Sequence, residues 1–286
     1  MTASLTLEEI VSKTSDLPTI PEAAIAVMRE VDNPEASAAS VANHISRDQS
    51  LSAKVLRLSN SSYYGLAGQV TDLRDAVVVL GMRSVRNLAV VAATYPWMAK
   101  PFTGYRLSPE DMWAHSVGVG VAGKMLAKKT KKACPESTFV AGLLHNIGKT
   151  ALSIWLENKL ESMMKLAQAT DQTFDAVERK ILGYDHQEVG AYLGERWNLP
   201  ETFVTAMRYH HHPNDIADPV VDCIHIADYI TMSMGFGLGG DGLRYELAPE
   251  ALDRLGIKTE ELDEIMASYL SDYESFGKLM EALKAA

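Results

Sequence analysis

Eight histidines are spread unevenly along the 286 residues. His44 stands alone, and the other seven (His115, His145, His186, His210, His211, His212 and His225) fall in the later part of the chain. His145 lies in Phe139-Val-Ala-Gly-Leu-Leu-His145-Asn146-Ile-Gly148-Lys149, an apolar run closed by a His-Asn pair and a glycine. Polar groups at the end of a buried face need partners, because leaving one unpaired costs on the order of a few kcal/mol. Imidazoles converging from several helices could jointly hold a transition metal, and Asp228 in His225-Ile-Ala-Asp228-Tyr could complete such a site with an oxygen. Taken singly, each histidine is better explained as a satisfied core or surface residue. His44 sits on an apolar helix face and reads as structural, and His212 and His225 read as surface or packing residues.

The elements that must position these residues are helical. Hydrophobic residues make up 47% of the chain and aromatic residues only 7%. Ala, Leu, Val and Met are plentiful, which favours helix-on-helix packing over sheets. Apolar spacing predicts helices over 7–14, 21–31, 37–46, 48–58, 73–80 and 84–94, with Asp48 as an N-cap and Gly81 as a stop. No alternating strand pattern of useful length occurs there. The stretch Pro96 to Pro109 holds three prolines and a glycine and is the candidate domain boundary. Beyond it, Ser108-x-x-Asp111 resembles a capping box opening a long helix to Lys129. The lysines at 128, 129, 131 and 132 read as a solvated helix end that complements the helix dipole. Further helices are expected over 137–147, 150–155, 159–170, 173–182, 187–197, 201–209 and 220–234. The run Gly235-Phe-Gly237-Leu-Gly239-Gly240-Asp-Gly242 follows a helix, not a strand. It fits no phosphate-binding fingerprint and reads as a flexible connection. Two amphipathic helices close the chain.

Charge and composition exclude several classes of function. A formal net charge of −10 argues against an electrostatic grip on nucleic acid or an anionic membrane. Two cysteines, Cys134 and Cys223, are too few for a disulfide framework and are expected to stay reduced. The first residues lack the basic-then-apolar order of a signal peptide, and no apolar run reaches the roughly 18 residues of a spanning helix. A cytoplasmic location is expected.

Several separated segments then resemble a known family in the right order. Trp113-Ala-His115-Ser116, Gly142-Leu-Leu-His145-Asn146-Ile-Gly148-Lys149, Asp185-His186-Gln-Glu-Val-Gly190, Trp197-Asn-Leu-Pro200 and Tyr209-His210-His211-His212-Pro213 are similar to the HD superfamily of phosphohydrolases. The earlier segments are more specific. Leu17-Pro18-x-x-Pro21, Ile45-Ser46-Arg-Asp48-Gln-Ser-Leu51, Asn60-Ser61-Ser-Tyr63-Tyr64-Gly65 and Ala76-Val-Val-Val-Leu80-Gly81 resemble the HDOD domain, an HD-related output domain. The resemblance runs from about Leu17 to Met234.

It implies an all-α fold: an N-terminal helical bundle over 1–104, packed on a degenerate HD-like core over 105–240, with a C-terminal helical extension over 241–286. In catalytic HD enzymes a His, a His-Asp pair and a later Asp bind divalent metal, and those positions resemble His115, His145, position 146 and Asp228. The further histidines of HD-GYP phosphodiesterases resemble His186, His210 and His211, and a lysine that reaches phosphate resembles Lys149. This chain departs from the pattern at Asn146 and at His212-Pro213-Asn214, where no Gly-Tyr-Pro signature follows. An amide offers one neutral oxygen and an NH₂ that cannot ligate, whereas a carboxylate can bridge two cations. The expectation is therefore a bacterial signalling module without catalytic residues, acting through protein contacts. It would hold either no cofactor or one divalent transition metal such as Zn, Fe or Ni. No sensory module accompanies the domain here, so a signalling partner in trans or self-association is expected. A metal-dependent phosphohydrolase acting on a nucleotide or cyclic dinucleotide is the alternative, and a nucleotide bound beside Lys149 without cleavage is a third reading.

Overall fold

The structure is a computed structural model that describes residues 6–12, 14, 19–237, 239 and 246–284. Leu17 and Pro18 of the N-terminal motif, and most of the glycine-rich run after Gly237, lie outside the described residues. Those described form sixteen α-helices and three short 3₁₀ turns, with no strand and a single isolated bridge between Phe102 and Leu107. The all-α expectation holds. The chain divides into two compact units.

One unit comprises Thr19–Pro96, Trp197–Pro200 and the residues from Glu264 onward. Three of its helices begin where the sequence supplies side-chain acceptors. Ser37 caps Ala38–Ser46, Asp48 caps Gln49–Ser59, and Asp72 caps Leu73–Leu80, each taking a backbone N–H of the first turn. Val27, Met28, Val41, Ile45, Val55 and Leu58 are buried at helical spacing and form its core. His44, half-buried, faces Glu30 at 3.8 Å. The loop after Gln49–Ser59 is closed by Asn60, whose amide bonds both the N–H and the carbonyl of Val70 at 2.8 Å. Tyr63 stacks edge-on against Tyr64 and against Phe276 of the final helix, Leu262–Lys284.

The helix expected over 84–94 is longer, Met82–Met98, and runs through Pro96. Proline forbids the hydrogen bond to the carbonyl four residues back. Burial of Trp97 and Met98 nonetheless holds one more turn.

The other unit comprises the described residues before Thr19, together with Trp97–Arg196 and Glu201–Asp263. Its centre is a trio of helices, Pro109–Thr130, Pro135–Leu144 and Pro219–Ser233, packed on one another. The first opens with the Ser108–Asp111 capping box, both reciprocal bonds being present. The lysine run at its end is not simply solvated: Lys129 pairs with Glu261 at 2.8 Å, and the Lys132 ammonium donates to the Arg254 carbonyl. Glu201–Tyr209 packs on Pro135–Leu144 and Pro219–Ser233, His186–Arg196 packs on Glu201–Tyr209 and on Gly148–Leu156, and Phe174–Leu182 packs on His186–Arg196.

Candidate metal centre

The residues singled out by spacing come from five separate places in the second of these units. His115 lies on Pro109–Thr130, and His145 and Asn146 follow Pro135–Leu144. His186 is the first residue of His186–Arg196, His210 and His211 follow Glu201–Tyr209, and Asp228 lies on Pro219–Ser233. Local chemistry fixes several of them. The Asp185 carboxylate accepts from the Glu188 N–H at 2.9 Å while Glu188 accepts from the Asp185 N–H at 3.1 Å, a reciprocal cap that starts the helix at His186. The glycine after His145-Asn146 is explained by contact: a Cβ on Gly148 would lie 1.9 Å from the His186 carbonyl oxygen. No side chain fits there, so Gly148 brings the His145 and His186 segments together.

Among the described residues, two groups have ligand atoms all within 4.8 Å of one another: His186, His210 and His211, and His115, His145 and Asp228. In the first, the His186 Nε2 is 3.3 Å from the His210 Nε2 and 3.2 Å from the His211 Nε2. Nitrogens about 2.0–2.1 Å from a tetrahedral zinc stand roughly 3.3–3.4 Å apart, so these spacings fit a metal-bound arrangement. In the second, the Asp228 Oδ1 is 3.0 Å from the His115 Nε2 and 3.7 Å from the His145 Nε2. The groups adjoin: the His145 and His210 ring centroids are 4.9 Å apart, and the other Asp228 oxygen is 3.7 Å from the His211 Nδ1.

The outer nitrogens explain why the inner ones converge. The His145 Nδ1 bonds the Gly142 carbonyl at 2.6 Å, and the His210 Nδ1 bonds that of Met207 at 2.9 Å. The His115 Nδ1 reaches the Phe236 carbonyl at 3.3 Å, and the His186 Nδ1 meets Glu178 at 2.7 Å. A carbonyl or carboxylate only accepts, so each Nδ1 carries the proton and each Nε2 presents a lone pair inward. Burial pushes His145, His210 and His211 below the ordinary histidine range, the last two well below. Neighbouring imidazoles add to this, and for His145 the nearby Asp228 opposes it. Burial alone would raise the Asp228 carboxyl, but the His115 and His145 imidazoles beside it hold it well below the usual range. Neutral imidazoles and an ionised carboxylate are the forms metals require, and the residues fit a divalent transition metal.

Asn146 is buried, with its Oδ1 lacking any hydrogen-bond partner. Lys149 is also buried, its ammonium 5.5 Å from the centre of the Tyr105 ring. His212 stands apart from the cluster and pairs with Asp175 at 2.9 Å; that bond helps bring the Asp175 carboxyl down to about 2 against the opposing effect of burial. His225 is a strut: its Nδ1 donates to the His210 carbonyl at 2.7 Å and its Nε2 accepts from the Ala248 N–H at 2.9 Å. The start of the glycine run does more than connect. Gly237, at φ +68°, approaches so closely that a Cβ would lie 2.4 Å from the His115 Cβ. A cavity of about 330 Å³ lies beside His211 and His212, bordered by Asp175, Asn214, Ala248 and Glu250.

Sequence reasoning missed Glu178 and the role of His225. The available signal for Glu178 was an acid on an apolar face, spaced four residues from both Phe174 and Leu182.

An all-helical fold with an enclosed histidine and aspartate cluster defines a member of the HD-related class. More narrowly, residues 17–213 match the HDOD domain, and the chain belongs to that family. Among solved structures it is similar to an HDOD domain protein of unknown function from Geobacter sulfurreducens, with 25% identity and a TM-score of 0.69, covering 98% of this chain and 95% of that one. It is also similar to a Shewanella amazonensis SB2B protein described as a candidate phosphohydrolase, with 27% identity and a TM-score of 0.68, covering 94% and 97%. A Marinobacter aquaeolei VT8 protein described as a candidate signal transduction protein shares the fold at 23% identity and a TM-score of 0.71, covering 98% of this chain and 62% of that one. A curated but uncharacterized protein of Treponema pallidum (strain Nichols) is 25% identical over 244 residues, 85% of this chain. The chain spans 46% of that relative's length. Among the described residues no helix is long and apolar enough to cross a membrane.

Proposed function

We propose that this HDOD chain is a regulatory, signal-transducing module that holds one divalent transition metal on His186, His210 and His211 and does not hydrolyse phosphate esters. The observation that carries this reading is the neutral amide at Asn146, buried with a partnerless oxygen where HD enzymes carry a carboxylate. A bound metal would supply positive charge and Lewis acidity. The chain's own residues orient three imidazoles toward it, and beside the Asp228 carboxylate that faces His145, position 146 offers a neutral amide where a second carboxylate would share a cation or take a proton from water. Enclosure supports the same reading. His145, His186 and His210 are fully buried, His115 and Asp228 nearly so, and Lys149 is packed beside Tyr105.

The module's partner is then a signalling protein in trans or a second copy of the chain. Nucleic acid and anionic membranes are disfavoured by the net charge of −10. The free thiols Cys134 and Cys223 fit the reducing cytoplasm.

One observation favours the alternative of a phosphohydrolase acting on a nucleotide or cyclic dinucleotide: Asp228 directs one oxygen toward each histidine group. The test is ³¹P NMR of protein reconstituted with Zn²⁺, Mn²⁺ or Fe²⁺ and incubated with cyclic dinucleotides and bis(p-nitrophenyl) phosphate. No turnover above the metal-only blank is expected. Turnover that disappears in His145→Ala would overturn the non-catalytic reading.

A further inference from the structure

Glu178 is fully buried on the Phe174–Leu182 helix, and its carboxylate receives three donors. One oxygen takes the His186 Nδ1 at 2.7 Å and the His186 backbone N–H at 2.9 Å. The other takes the Tyr105 hydroxyl at 2.6 Å. The only ionisable partner within salt-bridge distance among the described residues is His186 itself.

From this we infer that Glu178 is the positioning residue of the metal centre: it fixes the tautomer and tilt of His186 and, through Tyr105, links the centre to the Thr103–Tyr105 turn. The inference rests on the metal-holding reading above. A carboxylate offers acceptors only, so the His186 Nδ1 must bring the proton and its Nε2 must face His210 and His211 as a lone pair. The backbone N–H of the same residue, bonded to the same oxygen, anchors the carboxylate where it meets the ring nitrogen. An anion behind an imidazole also raises its basicity as a ligand, the arrangement that outer carboxylates impose at metal-binding histidines. The buried negative charge would in turn be compensated by a cation on the far side of the ring. His115, His145 and His210, by contrast, lean on backbone carbonyls. His186 alone in that set is held by an anion.

The turn at the other end of this chain of bonds is itself clamped. The Gly104 N–H donates to the Ser153 Oγ at 3.1 Å, and a Cβ on Gly104 would overlap the Ser153 carbonyl. Tyr105 is fully buried and packs 6.2 Å from the Phe174 ring. A change in charge at His186 therefore meets a rigid, hydrogen-bonded path to residue 105.

The test uses the full chain with Zn²⁺ alone as the probe. Long-range ¹H–¹⁵N spectra of the metal-free protein are expected to show His186 as the Nδ1–H tautomer. Glu178→Ala should lose that tautomer while the other backbone amide signals persist. Zinc affinity, from competition with a chromophoric chelator, should fall about 100-fold in Glu178→Ala and about 10-fold in Glu178→Gln, which keeps an acceptor but no charge. Tyr105→Phe should keep the His186 tautomer and shift its ¹⁵N resonance. Should Glu178→Ala not fold, Glu178→Gln decides, and zinc affinity unchanged from wild type overturns the inference. Retention of the Nδ1–H tautomer in folded Glu178→Ala overturns it as well. If wild type takes no zinc, the metal-holding reading fails, while the tautomer spectra still decide whether Glu178 fixes the ring.

Discussion

Replacing Asn146 by aspartate asks the cluster to accept the carboxylate that the HD pattern places there. The side chain is 1% exposed and its oxygen lacks a hydrogen-bond partner, so without metal the new carboxyl would be desolvated with no donor at that oxygen. Full burial raises a carboxyl pKa by roughly 3–5 units, from about 3.9 to about 7–9. A group whose folded pKa is raised leaves stability intact below its unfolded pKa and removes it as pH rises toward the folded one. The penalty of Asn146→Asp should therefore grow by about 1.4 kcal/mol per pH unit above about pH 4 and level off near the folded value. Between pH 5 and pH 7 that is about 3 kcal/mol, or roughly 6–12 °C in melting temperature for a unit of this size. The assay is thermal unfolding of EDTA-treated wild type and variant at pH 5, 6 and 7, followed by the same series with Zn²⁺ or Mn²⁺. The deficit should widen with pH in the metal-free protein and close when metal is added, because the cation then neutralises the carboxylate. A deficit independent of both pH and metal would refute the reasoning, since position 146 would then lie outside the enclosed cluster.

Gly148→Ala should lower stability by about 1–3 kcal/mol or more, since its Cβ would lie 1.9 Å from the His186 carbonyl; chemical denaturation at fixed pH checks this. Cys223 is buried, and burial together with Asp222 and Asp218 pushes its thiol up to about 12. One thiol per native chain, that of the half-buried Cys134, should accordingly react with a colorimetric disulfide reagent at pH 8, and two after denaturation. Ser108→Ala removes the reciprocal cap of the helix that carries His115 and should cost about 1 kcal/mol in urea unfolding, with no change in the slope of the transition.

Much of the fold was legible because it rests on local signals. Ser108-x-x-Asp111 and Asp48 mark helix starts through side-chain oxygens within three residues, and apolar spacing gives the helices between them. The ends were less legible where packing overrides a local rule, as with burial of Trp97 and Met98 beyond Pro96. The candidate ligands were visible as residue types, and the family pattern grouped them. Their separation in the chain could not reveal that they form two adjoining triads, or that Asp228 faces both. Glu178 escaped notice because an acid on a helix is ordinarily solvated, and only the tertiary contact with His186 gives it a role. His225 reads as packing from its spacing and in fact braces the His210 carbonyl, a bond between residues far apart in sequence. The glycine run follows a helix, fits no phosphate-binding spacing and reads as a connection, whereas close approach of Gly237 to His115 depends on where the chain returns.

The most direct test of the central claim is anomalous diffraction from crystals of untagged protein, collected above and below the absorption edge of the metal found by elemental analysis. One peak bounded by the imidazoles of His186, His210 and His211, with none beside Asn146, is the result expected. Two peaks, the second between His145 and Asp228, or no peak at all, would contradict it.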